Sequence, residues 1–111
     1  MSRQLLTDLV SARQSGEVER VAALLRDDAR YWDCVRGDLS GRGLAASALV
    51  APTGARLALE TLAVADADAV LEVQVTGAGP GYRSTEVYRV EGEAVASVKV
   101  YVDPRVATPA T

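Results

Sequence analysis

The chain contains no histidine and no phenylalanine, a single cysteine (Cys34) and a single lysine (Lys99). Without histidine there is no Ser-His-Asp or Cys-His catalysis, no His-ligated zinc and no histidine pH switch. One cysteine allows neither an internal disulfide nor a paired-cysteine metal or redox motif. The bases are otherwise arginines scattered along the chain, 12 bases against 15 acids for a net charge of −3. With no basic block there is no electrostatic footprint for nucleic acid. No apolar run approaches the ~20 residues of a membrane span, and the segment MSRQLLTDLV lacks the apolar core of a signal peptide. The acidic residues show no hard-metal spacing. These absences predict a cytoplasmic protein without metal or cofactor, and without nucleic-acid or membrane partners.

What is present fits one domain. The 111 residues are 49% hydrophobic and 24% charged, near the globular average and far from disorder. Helical periodicity runs over residues 3–15, with Leu5, Leu6, Leu9, Val10 and Ala12 on one stripe, and Gly16 supplies the stop. A second amphipathic helix is predicted over 17–26, burying Val18, Val21, Ala22, Leu24 and Leu25. Residues 30–35 read as a short strand rich in Tyr, Trp and Val, and 36–43 as a polar, glycine-rich loop. A third helix, 41–51, turns Leu44, Ala48 and Leu49 inward and ends before Pro52.

The second half alternates. Strands are predicted at 56–65, 69–77, 82–90 and 94–102, separated by the turn signals 66–68, 77–81 and 91–93. Short connections between successive strands mean antiparallel hairpins. The 77–81 run joins strand to strand without a helix N-terminus, so it is a hairpin and not a phosphate loop. Helices segregated from strands give an α+β fold in which three helices cover one face of an antiparallel sheet. Strands of nine to eleven residues, roughly 30 Å at ~3.3 Å per residue, must bend in so small a domain and leave a concave side. The domain is placed at residues 1–104, with 105–111 as a mobile tail.

Three strings resemble the nuclear transport factor 2-like superfamily, particularly its SnoaL-like polyketide cyclases and ketosteroid isomerases. They are SGEVERVAALLRDDARYWD, the GRG loop before the third helix, and STEVYRVEGEAVASVKVYVDP. The resemblance spans about residues 4–104. It implies a cone, in which a strongly curved sheet wraps three helices around a pocket at the open end. DDARYWD is similar to the isomerase segment that ends in the general-base aspartate, which implies that role for Asp33. EVYRVEG resembles the segment that opens with the oxyanion-hole acid, which implies that role for Glu86. The isomerases' helix-one tyrosine is replaced by Leu9, and the residue after the base is Cys34 where they have proline.

Alternation addresses the same positions independently. With a three-residue turn at 91–93, Glu86 pairs with Val98, and Ala94, Ala96, Val98, Val100 and Val102 face the helices. Ser84, Glu86, Tyr88 and Val90 then face inward, as do Leu71, Val73 and Val75. On the strand before them, a two-residue turn at 66–68 turns Glu60 inward, and a three-residue turn places Leu59 and Thr61 there. Asp33 shares its face with Tyr31 and Val35. Two acids on an apolar face would take different pKa values, one ionised as base and one neutral as donor. The expected site is therefore Asp33 and Glu86 for proton transfer, lined by Tyr31, Tyr88, Leu71, Val73, Val98 and Val100, and open to a small hydrophobic molecule. The competing readings make Asp33 a loop cap or a partner of Arg36 or Arg42, and Glu86 a partner of an arginine such as Arg56. Cys34 reads as a small buried hydrophobe. The outward face, with Glu72, Gln74, Val87, Arg89, Lys99 and Tyr101, suits a homodimer contact of the kind the resemblance implies. Two functions stand side by side: a cofactor-free isomerase or cyclase, and a ligand-binding or dimerisation module without chemistry.

Overall fold

The computed structural model describes residues 3–103 apart from Ala78 and Pro80; the expected tail at 105–111 lies outside the described residues. The order is α1 (Arg3–Gln14), α2 (Val18–Ala22), β1 (Leu25–Asp33), β2 (Gly37–Ser40), α3 (Arg42–Leu49), β3 (Arg56–Ala65), β4 (Asp68–Thr76), β5 (Tyr82–Glu91) and β6 (Ala94–Val102). The strands form one sheet in the order β2-β1-β6-β5-β4-β3. No described helix is long and apolar enough to cross a membrane.

The four-stranded antiparallel meander is present as expected, and three differences position the site. First, the sheet is mixed, because β1 runs parallel to β6, with Tyr31 opposite Val98 and Asp33 opposite Val100. Second, α2 is only five residues long and the chain is already extended at Leu25. Leu24 and Leu25 are taken by the sheet: the Leu24 carbonyl accepts the Val95 N–H at 2.9 Å, and Leu25 pairs with Val95. Tertiary pairing here overrides the helical pattern. Third, the expected loop at 36–43 contains β2, which folds back on β1 and separates the third helix from the first two.

Bulges decide which residues face the helices, since one extra residue reverses the alternation beyond it. In β3, Leu59 pairs with Val73 and Thr61 with Glu72, so Glu60 is the extra residue. Leu57, Leu59, Leu62 and Val64 pack on the core, and Glu60 turns outward to bind Arg83 at 2.7 Å. The turn between β3 and β4 has two residues, Asp66 and Ala67, so the bulge and not the turn sets the phase. The turn between β5 and β6 also has two residues rather than three, and a bulge near Ala96 follows. Glu86 therefore pairs with Val100, not Val98, and Val95 is buried while Ala96 is only half-buried.

The helices close the inward face. Leu6, Leu9 and Ala12 of α1, Val21 of α2 and Ala45, Ala46 and Leu49 of α3 share one core with Leu71, Val73, Tyr88, Val90 and Val98. Fully burying a Leu or Val stabilises by about 1.5–3 kcal/mol. Leu44, expected inside, is 56% exposed; the adjacent alanines face the sheet instead, and their small side chains let α3 lie close to it.

Candidate functional site

The inward residues at one end of the strands are not all packed. A cavity of about 200 Å³ opens there, with Asp33, Val75, Tyr82, Ser84, Glu86 and Val100 on its walls and Arg13, Arg36 and Leu49 reaching in. Asp33 and Glu86 thus line one space.

Glu86 is 1% exposed and is fully engaged. Arg13 from α1 grips it from both guanidinium ends, Nη1 to Oε1 at 2.7 Å and Nη2 to Oε2 at 3.0 Å. The Tyr88 hydroxyl donates to Oε1 at 2.8 Å and the Ser84 hydroxyl to Oε2 at 3.1 Å. Those four bonds use the carboxylate's four acceptor positions. Burial pushes the Glu86 carboxyl up, but the Arg13 charge and the three donors outweigh it and hold it below the usual carboxylate range. Burial, the Glu86 charge and its hydrogen bond to Glu86 raise the Tyr88 hydroxyl in turn, so it stays a neutral donor.

Asp33 is 7% exposed and is organised by its own strand and turn. Its Oδ1 accepts the backbone N–H groups of Val35 at 2.8 Å and Arg36 at 2.6 Å. Its Oδ2 accepts the Tyr31 hydroxyl at 2.5 Å, and Arg36 Nε lies 3.8 Å away. Burial again works against the charge, and these donors overcome it, so the Asp33 carboxyl also sits below its ordinary range. Burial and the Asp33 bond raise the Tyr31 hydroxyl. One lone pair of Oδ2 is left over.

The division into one ionised and one neutral acid is not what this geometry provides, because fixed donors hold both groups as carboxylates. Arg13 was missed. It lies four residues beyond Leu9 and seven beyond Leu6, so the helical period already placed it on the buried stripe. Its 6% exposure and the Glu86 partnership follow from that position.

Of the other expected lining residues, Tyr31 and Val100 border the cavity. Tyr88, Leu71, Val73 and Val98 do not; they are at most 2% exposed and fill the core behind it. Alternation identifies a strand's inward face but not depth along it, and the cavity lies toward Val75, Tyr82 and Val102. Cys34 is exposed rather than buried, and Val35 is 87% exposed instead of sharing the inner face with Asp33. The cause is the Asp33 cap: by accepting the backbone N–H groups of Val35 and Arg36, it ends the strand and turns Cys34 and Val35 out to the cavity rim. On the opposite face of the sheet, Trp32 and Tyr101 meet with ring centroids 5.4 Å apart.

This arrangement of helices on a six-stranded sheet matches solved structures over nearly its whole length. An NTF2-like protein of unknown function from Cytophaga hutchinsonii superposes with a TM-score of 0.81 at 16% identity, covering 95% of this chain and 92% of that one. The fold is the nuclear transport factor 2-like fold. A candidate ketosteroid isomerase from Kribbella flavida gives a TM-score of 0.82 at 20% identity, covering 98% and 82% of the two chains. An LEH-like epoxide hydrolase from M. tuberculosis gives 0.77 at 16%, covering 94% and 84%. No protein-family model and no curated protein matches the sequence. The nuclear transport factor 2-like fold carries these different activities on one scaffold, so the chemistry has to be argued from the cavity.

Proposed function

We propose that the protein is a cofactor-free enzyme of the isomerase or cyclase type, acting on a small molecule in the cavity with Asp33 as its general base. The observation that carries this is the state of Asp33: an ionised carboxylate, nearly buried, with one unused lone pair on Oδ2. It lines a space whose other walls include Val75 and Val100. A carboxylate held below its ordinary range is a weak base. The step it suits is removal of a proton already acidified by a neighbouring carbonyl. Glu86 does not act as an acid in this reading; it fixes Arg13. The cavity is smaller than the ~300–1,000 Å³ of drug-sized sites, so the substrate, or the part that enters, is about the size of one ring. The reading includes the expected setting: a sheet curled into a cone by its bulges, in a cytoplasmic homodimer joined through the face that carries Trp32 and Tyr101.

The test is hydrogen–deuterium exchange at the α-carbons of small cyclic ketones, with cyclohexanone as reference, followed by NMR in heavy water. The wild-type protein accelerates exchange, and Asp33→Asn removes 100-fold or more of that acceleration, the usual contribution of a general base. Undiminished exchange by Asp33→Asn refutes the assignment. Binding without turnover is the second reading, favoured by the four filled acceptor positions of Glu86; ketones that bind but do not exchange establish it.

A further inference from the structure

A count of hydrogens, rather than of atoms, singles out Arg13. Every buried side-chain nitrogen and oxygen among the described residues has at least one partner. A guanidinium, however, carries five N–H groups, and the contacts of Arg13 account for at most four. Nε–H is given to the Leu49 carbonyl at 2.8 Å. Nη1 donates to Glu86 Oε1 and to the Tyr88 oxygen at 3.2 Å. One hydrogen of Nη2 goes to Glu86 Oε2. The second hydrogen of Nη2 has no protein acceptor among the described residues. It belongs to a side chain only 7% exposed that borders the cavity together with Leu49. Leaving such a donor unsatisfied is costly, and the cavity is where an acceptor can come from.

We propose that Arg13 binds the oxygen of the substrate, with this fifth N–H as the donor, and that Glu86 serves to lock the guanidinium in place for it. The inference rests on the reading of Asp33 as base and deepens it by naming the group at the other end of the substrate. The protein then offers a free acceptor on Asp33 Oδ2 and a buried, rigidly held donor on Arg13 Nη2, whereas the other donors on the lining, Tyr82 and Arg36, are half-buried and exposed. Formal charges on the lining cancel, Arg13 and Arg36 against Asp33 and Glu86. Nothing there recruits an anion, since Glu86 already neutralises Arg13 through two contacts. The substrate class is therefore a neutral molecule with a lone oxygen acceptor, a carbonyl in preference to a carboxylate. As Asp33 withdraws a proton, negative charge builds on that oxygen, and the bond from Arg13 strengthens.

The experiment compares three probes of similar size: cyclohexanone, methylenecyclohexane, which replaces the oxygen by carbon, and cyclohexanecarboxylate. Each is titrated into the wild-type protein while the arginine side-chain N–H resonances and the cavity methyl groups are followed by NMR. Cyclohexanone shifts an Arg13 Nη2–H resonance and binds about tenfold more tightly than either of the other two, the size expected for one hydrogen bond from a charged donor. The variant Arg13→Met/Glu86→Gln, which leaves no buried charge unpaired, loses that preference and binds cyclohexanone and methylenecyclohexane equally. If cyclohexanone enters the cavity in the wild-type protein but leaves the Arg13 resonances unmoved, or shows no advantage over methylenecyclohexane, the inference fails while the Asp33 reading stands. If no probe perturbs any cavity resonance, both fail. The wild-type titrations decide the matter even where the double variant does not fold.

Discussion

Removing Arg13 alone should damage the protein more than removing Arg13 and Glu86 together. Arg13→Met takes away the only cation that, among the described residues, is in direct contact with a carboxylate that is 1% exposed. It also leaves the Leu49 carbonyl without its Arg13 donor. Breaking one side of a buried ion pair costs about 3–5 kcal/mol. For a chain of 111 residues that is a fall in Tm of roughly 13–21 °C. In Arg13→Met/Glu86→Gln the uncompensated charge is gone, and the glutamine amide can still accept from Tyr88 and donate to Ser84. Only the Arg13 bonds are lost, at about 1–3 kcal/mol. The two single variants and the double variant should therefore depart from additivity by about 2 kcal/mol or more in a double-mutant cycle measured by urea unfolding.

The pH dependence supplies a second check on the same cause. In the wild-type protein Arg13 and the neighbouring donors overcome burial and keep the Glu86 carboxyl low. Without Arg13 the burial is no longer offset, and the folded-state pKa of Glu86 rises above its ordinary 4.5. A folded-state pKa above the unfolded one makes the loss of stability full at neutral pH and progressively smaller as pH falls through the raised value. Arg13→Met should thus lie closer to the wild-type protein at pH 5 than at pH 7.5. Additive single-variant costs, or a deficit unchanged between those two pH values, would refute a buried charge pair as the source.

In the unaltered protein the sign is opposite. Asp33 and Glu86 are both held below their ordinary values of 3.8 and 4.5, so their contribution is complete above pH 4.5 and is lost as acid drives the pH through the folded-state values; unfolding followed by circular dichroism from pH 7 to pH 2 should show stability falling only at the acid end. A backbone prediction concerns Gly77, which has φ +90° and whose added Cβ would meet the Gly54 carbonyl oxygen at 2.6 Å, whereas Gly92, at φ +66°, has nothing within 4 Å. Gly92→Ala should cost only the strain of its backbone angle, about 1 kcal/mol, and Gly77→Ala distinctly more; equal melting temperatures for the two variants would show that the close approach to Gly54 does not matter.

Much of this architecture is legible in the sequence because hydrophobic periodicity reports faces. The alternation through Ser84, Glu86, Tyr88 and Val90 gives the buried side of β5 correctly even though the assumed turn length and the partner of Glu86 were both off. An error of one residue in the turn was offset by a bulge of one residue in β6. Bulges have no strong local signature, so the turn alone leaves Glu60 ambiguous, and strict alternation turns Ala96 rather than Val95 inward. Depth along a strand is equally silent in the pattern: Leu71 and Val75 share a face, but only Val75 reaches the cavity. The short β2 and the early start of β1 depend on pairing with distant strands, which local propensity does not encode. Arg13 is a different kind of omission. The 3.6-residue period placed it on the buried stripe, but a charge there reads as an interruption until a buried carboxylate is available to meet it.

The two carboxylates are held by different parts of the chain, and this has a mechanical consequence. Asp33 takes its three hydrogen bonds from Tyr31, Val35 and Arg36, all within three residues of it, so its position is fixed by local backbone and survives small movements of the helices. Glu86 takes two of its four bonds from α1, and the same arginine also binds the C-terminal end of α3, through Leu49, while its own carbonyl accepts the Ala51 N–H at 3.0 Å. Arg13 is therefore the point where α1, α3 and β5 meet, and a shift of α1 moves Arg13 while leaving Asp33 in place. The rigid half of the site is local to β1 and the turn after it, and the adjustable half is built from contacts distant in sequence. That asymmetry is why Asp33 stands out from a short string of residues, and why Arg13, facing the same cavity, required the assembled fold.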